Sequence, residues 1–213
     1  MPKDTFYNLP EEKRQTIYEA ALDEFSIHPF KQASINRVVE AAGIAKGSFY
    51  QYFQDKKDLY KFLVEEIFQK KIAYLTPEMQ NPFNMDCFSL IRELFRSGVR
   101  FAKDNPKLAK IAQHLMSNSE KDTYLEIMEE KKGEGIQIYK MILEKGMEKG
   151  DVRGDINLDI AAFFLFQLSN SLSDGFMDMF HQGDEAQLME RVEDMIEILK
   201  YGISNNRLES ENE

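Results

Sequence analysis

Apolar residues recur along most of the chain at the three- and four-residue spacing of a helix with one buried side. The first stripe, Ile17, Ala20, Ala21 and Phe25, carries a single carboxylate, Glu24. Pro10 predicts its start, since a proline in the first turn sacrifices no hydrogen bond, and Glu11 and Glu12 suit the helix dipole there. His28-Pro29 predicts its end, because proline disfavours helical geometry in the residue before it. Ser34 is placed to cap a short helix with Ile35, Val38, Val39 and Ala42 on one side, and Gly43 to close it in the left-handed conformation. A second short helix is expected over 45–51. Asp55 then caps a longer one that turns Leu59, Phe62, Leu63 and Ile67 inward.

The segment 76–84, with Pro77 and Pro82, breaks the pattern. Phe88, Ile91, Phe95 and Ala102 form the next stripe, stopped at Asn105-Pro106, and Leu108, Ile111, Ala112 and Leu115 form a shorter one. Residues 120–149 keep a helical register, with Gly133 and Gly135 as a candidate bend. By composition 146–155 is a loop. Two further helices are expected over 158–180 and 185–203, before a polar tail, 205–213, expected to be disordered.

Composition agrees with an all-α fold. Among 213 residues the 11 glycines and 6 prolines are scarce, below the usual shares of about 7% and 5%. The longest apolar run, from Ile160 to Phe166, has seven residues, far short of the roughly 20 that span a bilayer. With no basic-then-apolar leader pattern, the expectation is a soluble cytoplasmic protein without a membrane partner. The one cysteine, Cys87, excludes an intramolecular disulfide and multi-cysteine metal sites. Net charge is −10, yet 31–57 carries five basic residues against two acidic ones, a local charge of +3 beside −13 for the remainder. A basic module on an acidic body suits local DNA binding.

Two short helices joined at a glycine after a longer one make a helix-turn-helix candidate. Stepping 100° per residue, Ala45, Tyr52 and Phe53 fall within about 60° of Phe49 and form an inner side. Gly47, Ser48, Tyr50 and Gln51 point away, with Lys46 at the boundary. That small, polar outer side can enter a major groove about 12 Å wide.

The core Ala42-Gly43-Ile44-x-Lys46-Gly47-Ser48-x-Tyr50-x-x-Phe53, followed by Lys56-Lys57-Asp58-Leu59, resembles the DNA-binding region of TetR-type transcriptional repressors. The resemblance runs over 14–60. Ala45 stands where serine or threonine is usual, Val39 where alanine is common, and His28-Pro29 where a glycine turn is usual. The resemblance implies phosphate contacts from Tyr50, Tyr52 and Lys56, with Lys46, Gly47, Ser48 and Gln51 at base edges or the adjacent backbone. Ser34 would donate to a phosphate from a helix N-terminus, where anions are favoured. It further implies a DNA-binding domain over 1–56 and a helical effector-binding and dimerisation domain over 57–204. The last two helices would pair with those of a second copy through Phe163, Leu168, Leu172, Phe176, Val192, Ile196 and Leu199. An adaptable apolar effector site would draw on Phe95, Met116, Tyr124, Met128, Tyr139 and Phe166.

Catalytic and metal signals fail on inspection. Asp155-x-Asn157-x-Asp159 begins like a calcium loop, but Ile160 occupies the required glycine position and Phe166 the bidentate glutamate position, so the segment reads as a loop and helix N-cap. His28, His114 and His181 lack ligand spacing, and no phosphate-binding or nucleophile-elbow motif occurs. The sequence therefore points to a homodimeric, ligand-responsive repressor of a pseudo-palindromic operator, with no metal, no cofactor and no enzyme activity expected. Competing readings are a helical small-molecule-binding protein without DNA-dependent function, and an enzyme using the apolar cavity.

Overall fold

The computed structural model describes residues 1–76, 79, 85–117, 121–127, 134–174 and 185–202. Among these there are eleven helices and no strand. They are α1 (Asp4–Tyr7), α2 (Glu11–Ile27), α3 (Ile35–Ala41), α4 (Lys46–Tyr52), α5 (Lys56–Ala73), α6 (Cys87–Asp104), α7 (Pro106–Met116), α8 (Lys121–Ile127), α9 (Glu134–Lys149), α10 (Leu158–Asp174) and α11 (Glu185–Tyr201). The helix α1 was not expected: four residues are too few to show a period. None of the helices is long and apolar enough to cross a membrane. Met128, Phe176 and the tail 205–213 lie outside the described residues.

The chain forms two compact units, one from Met1–Tyr74 with Arg100–Lys132 and the other from Leu75–Val99 with Gly133–Glu213. In the first, α2, α5 and α7 pack around Ile17, Ala21, Phe25, Leu59, Tyr60, Leu63, Leu108 and Ile111. Each leucine, isoleucine or phenylalanine side chain among them contributes roughly 1.5–3 kcal/mol on leaving water. The cap expected at Asp55 forms. Asp55 accepts from the Asp58 N–H at 2.8 Å, and Pro106 occupies the first turn of α7. Asn105 does not cap α7 with its side chain; its amide donates instead to the Phe101 carbonyl and the Tyr74 hydroxyl. Compactness here extends well past residue 56, because α5 and α7 supply much of the core that α2 and α3 need.

The second unit buries Cys87, Ile91, Phe95, Tyr139, Ile142, Leu165, Val192 and Ile196 together. Here α9 runs on to Lys149, through residues expected to form a loop. Its glycines serve close approach. A methyl group on Gly146 would lie 2.7 Å from Val152 Cγ2 and 2.8 Å from Cys87 Cβ, and one on Gly135 would collide with the Phe166 ring. Asn157 Oδ1 accepts from the Asp159 and Ile160 N–H groups at 3.1 Å each, capping α10 as the loop-and-cap reading of that segment requires. Val192 and Ile196, expected at an interface between copies, are instead 0% and 2% exposed inside their own unit. The helical period marks a buried side without saying what buries it.

Candidate nucleic-acid interface

The turn between α3 and α4 depends on Gly43, whose φ of 63° lies in the left-handed region. Its N–H donates to the Glu40 carbonyl at 3.1 Å and the Ile44 N–H to the Val39 carbonyl at 3.0 Å, which closes α3 with a paired C-terminal cap. The underside of α4 is anchored by Phe49 and Phe53, both fully buried, with rings 5.5 Å apart. Tyr52 joins them at 6% exposure. Lys46, Gly47, Tyr50 and Gln51 are exposed and Ser48 is half-buried, so one side of α4 faces solvent with a cation, a hydroxyl, a phenol and an amide. A methyl group on Gly47 would touch nothing within 4 Å, so the backbone there is open to an approaching molecule.

Several expectations need revision. Ala45, assigned to the inner side of α4, is exposed, because it is the extended residue before the helix and the 100° step does not apply to it. Lys56, expected on a phosphate, has its ammonium directed inward. It donates to the carbonyls of Phe30 at 2.7 Å and Ala33 at 2.9 Å and sits 4.6 Å from the centre of the Phe30 ring. Tyr52 is likewise mostly a packing residue. Ser34 begins α3 without a side-chain capping bond, and its N–H donates to Glu24 Oε1 at 2.7 Å.

That last contact belongs to a feature visible in the sequence only as the odd carboxylate in an apolar stripe. Glu24, 7% exposed, receives Arg37 Nε at 2.9 Å and Nη2 at 2.5 Å, tying α2 to α3. Burial alone raises the carboxyl pKa, but the bonds from Arg37 and the Ser34 amide outweigh it and the net shift is downward. Arg37 donates further to the Gln32 carbonyl at 3.0 Å, and Lys57 pairs with Glu126. Much of the basic excess counted along 31–57 is thus engaged within the protein, while Lys46 is exposed on the outer side of α4.

Helical frame, glycine turn and outward polar side can be set beside known proteins. The family model of tetR-family bacterial regulatory proteins matches residues 17–62, and that of the tetracyclin repressor-like C-terminal domain matches 85–204, more than half the chain. The chain belongs to the TetR family. This TetR-family chain is 35% identical to a TetR family transcriptional regulator from Chloroflexus aurantiacus J-10-FL, with a TM-score of 0.74 over 95% of this chain and 98% of that one. It is 34% identical to the HTH-type transcriptional regulator AcrR of Shigella flexneri over 84 residues, which span 39% of each protein. FadR of Bacillus subtilis, solved with stearoyl-CoA, shares the fold at 20% identity, with a TM-score of 0.70 over 89% of this chain and 99% of that one.

The remaining candidates fall in both units. Phe95 and Tyr139 are buried in the second unit, where Phe166 packs against the same cluster. Burial pushes the Tyr139 phenol up to about 12, moderated by a bond with Ser169. Met116 and Tyr124 belong to the first unit, where Tyr124 packs on its core. Along α10, Phe163 is 50% exposed, while Leu168 is partly buried, as is Leu199 of α11. The side chain of Leu172 lies outside the described residues. Among the described residues of α10 and α11, the most exposed apolar side chains are Ile160 at 63%, Phe164 at 61% and Ile198 at 52%.

Proposed function

We propose that this chain is a homodimeric, ligand-responsive transcriptional repressor that reads a pseudo-palindromic operator with α4. The observation that carries the reading is the outward side of α4, where Lys46, Gly47, Ser48, Tyr50 and Gln51 stand over an apolar base of Phe49 and Tyr52. Lys46, with Ser34 at the start of α3, meets phosphates; Ser48 and Gln51 meet base edges; Gly47 lets the backbones approach; and Tyr50 lies along the sugar-phosphate chain. Lys56 and Tyr52 act by holding these groups in place. Two such helices enter successive major grooves about 34–36 Å apart.

The second copy covers the exposed apolar residues of α10 and α11, Ile160, Phe163, Phe164 and Ile198, whose exposure to water is otherwise unfavourable. A hydrophobic effector in the second unit, bordered by Phe95, Tyr139 and Phe166, releases the operator. The stearoyl-CoA held by FadR makes acyl-chain ligands the first to try. Moving the dimer from 1:99 to 99:1 in favour of release needs about 5.5 kcal/mol of preference for the released form. The site of action is the cytoplasm, where the operator lies.

Selection of bound duplexes from random DNA by the purified protein, repeated with acyl-CoA present, tests the reading. A palindromic consensus lost on adding ligand supports it. Recovery of unrelated sequences, or a particle that stays monomeric on sedimentation at high concentration, overturns it.

A further inference from the structure

The last four carbonyls of any helix lack partners within it. In α4 these are Phe49, Tyr50, Gln51 and Tyr52, more than half of a seven-residue helix. Only the first is satisfied locally, by the Phe53 N–H at 2.9 Å. The other three are taken by two residues at the start of the chain. Lys3 donates its ammonium to the Tyr50 carbonyl and its backbone N–H to the Tyr52 carbonyl, each at 2.8 Å, and the Thr5 hydroxyl donates to the Gln51 carbonyl.

We propose that the segment before α2 is a positioning element for the reading helix, with Lys3 and Thr5 setting how Tyr50 and Gln51 are presented to DNA. The inference rests on the assignment of α4 as that helix. A helix as short as α1 has no stability of its own, so its position is set by Phe6. That side chain is 3% exposed, with its ring 5.0 Å from Phe53 and 5.5 Å from Phe62. Phe6 thus seats on the aromatic cluster under α4 while the two donors beside it reach over the helix end. Two of the three held carbonyls, those of Tyr50 and Gln51, belong to residues whose side chains face outward. Loss of a donor lets the last turn of α4 fray and swings those side chains, with the buried base left intact. The cation also lies where the helix dipole favours one.

The test uses the full chain with Thr5→Val, which keeps the shape and removes the donor, Thr5→Ser, which keeps the hydroxyl, and Lys3→Met. Operator duplex selected by the wild type serves as probe, and amide hydrogen exchange of α4 is followed without DNA. One net hydrogen bond corresponds to roughly fivefold in an equilibrium constant. Thr5→Val is expected to speed exchange at the end of α4 and weaken operator binding about fivefold. Its salt dependence and melting temperature stay near wild type, and Thr5→Ser restores both readouts. Lys3→Met should behave as Thr5→Val does. Exchange and binding unchanged in Thr5→Val overturn the proposal. So does a shallower salt dependence in Lys3→Met with Thr5→Val unaffected, which would make Lys3 a phosphate contact. If the wild type selects no duplex, the assignment of α4 fails. In that event unchanged exchange in Thr5→Val overturns the clamp as well, and faster exchange supports it.

Discussion

Lys46 and Lys56 stand ten residues apart in the segment expected to meet phosphate, and their surroundings assign them opposite tasks. The Lys56 ammonium donates at 2.7 Å and 2.9 Å to the Phe30 and Ala33 carbonyls and lies 4.6 Å from the Phe30 ring centre. Hydrogen bonds to a charged group contribute about 1.5–3 kcal/mol each, less when water can replace the donor. A partly exposed cation over an aromatic ring adds about 0.5–1 kcal/mol. Ala33 is buried and the Lys56 side chain half-buried, so water replaces only part of what is lost. Lys56→Met is therefore expected to destabilise the protein by about 2–3 kcal/mol. Its charge is not aimed at DNA, so the slope of log binding constant against log salt stays as in the wild type. Lys46→Met should do the reverse. Stability stays within about 0.5 kcal/mol, and the slope becomes shallower by about 0.9 per duplex-contacting lysine. Urea unfolding and operator titration from low to moderate salt read both quantities on the same samples. A Lys56→Met protein as stable as wild type with a shallower slope would refute the assignment and return Lys56 to the phosphate.

Gly47→Ala meets no atom within 4 Å, and alanine is preferred to glycine in a helix by up to about 1 kcal/mol. It should leave thermal stability equal or higher while weakening operator binding, as paired melting and titration experiments would register. Gly146→Ala should instead destabilise the fold by about 1–3 kcal/mol, because the added carbon lies 2.7 Å from Val152; denaturant unfolding measures it. The Glu24 carboxyl is held below its ordinary 4.5 in the folded protein. Its pair with Arg37 therefore contributes stability above that value, lost as pH falls through the lower folded value. Unfolding followed between pH 6 and pH 3 should show that loss in the wild type and a flatter profile in Glu24→Gln.

The local signals were legible one residue at a time. Pro10, Asp55, Asn157 and the Asn105-Pro106 pair set helix ends because their chemistry acts on the backbone beside them, and Gly43 closes α3 because the turn demands a positive φ. The outward side of α4 followed from helical phase alone, at every position inside the helix. Phase failed at Ala45, which precedes the helix, and could not say whether Val192 and Ile196 meet their own unit or another copy. Both are questions about neighbours distant in sequence. The same limit hid the inward turn of the Lys56 ammonium, the Glu24–Arg37 tie and the close approach at Gly146. It also hid the hold of Lys3 and Thr5 on α4, across more than 40 residues of chain. Charge, size and local backbone preference are properties of a sequence; what a side chain touches is decided by packing.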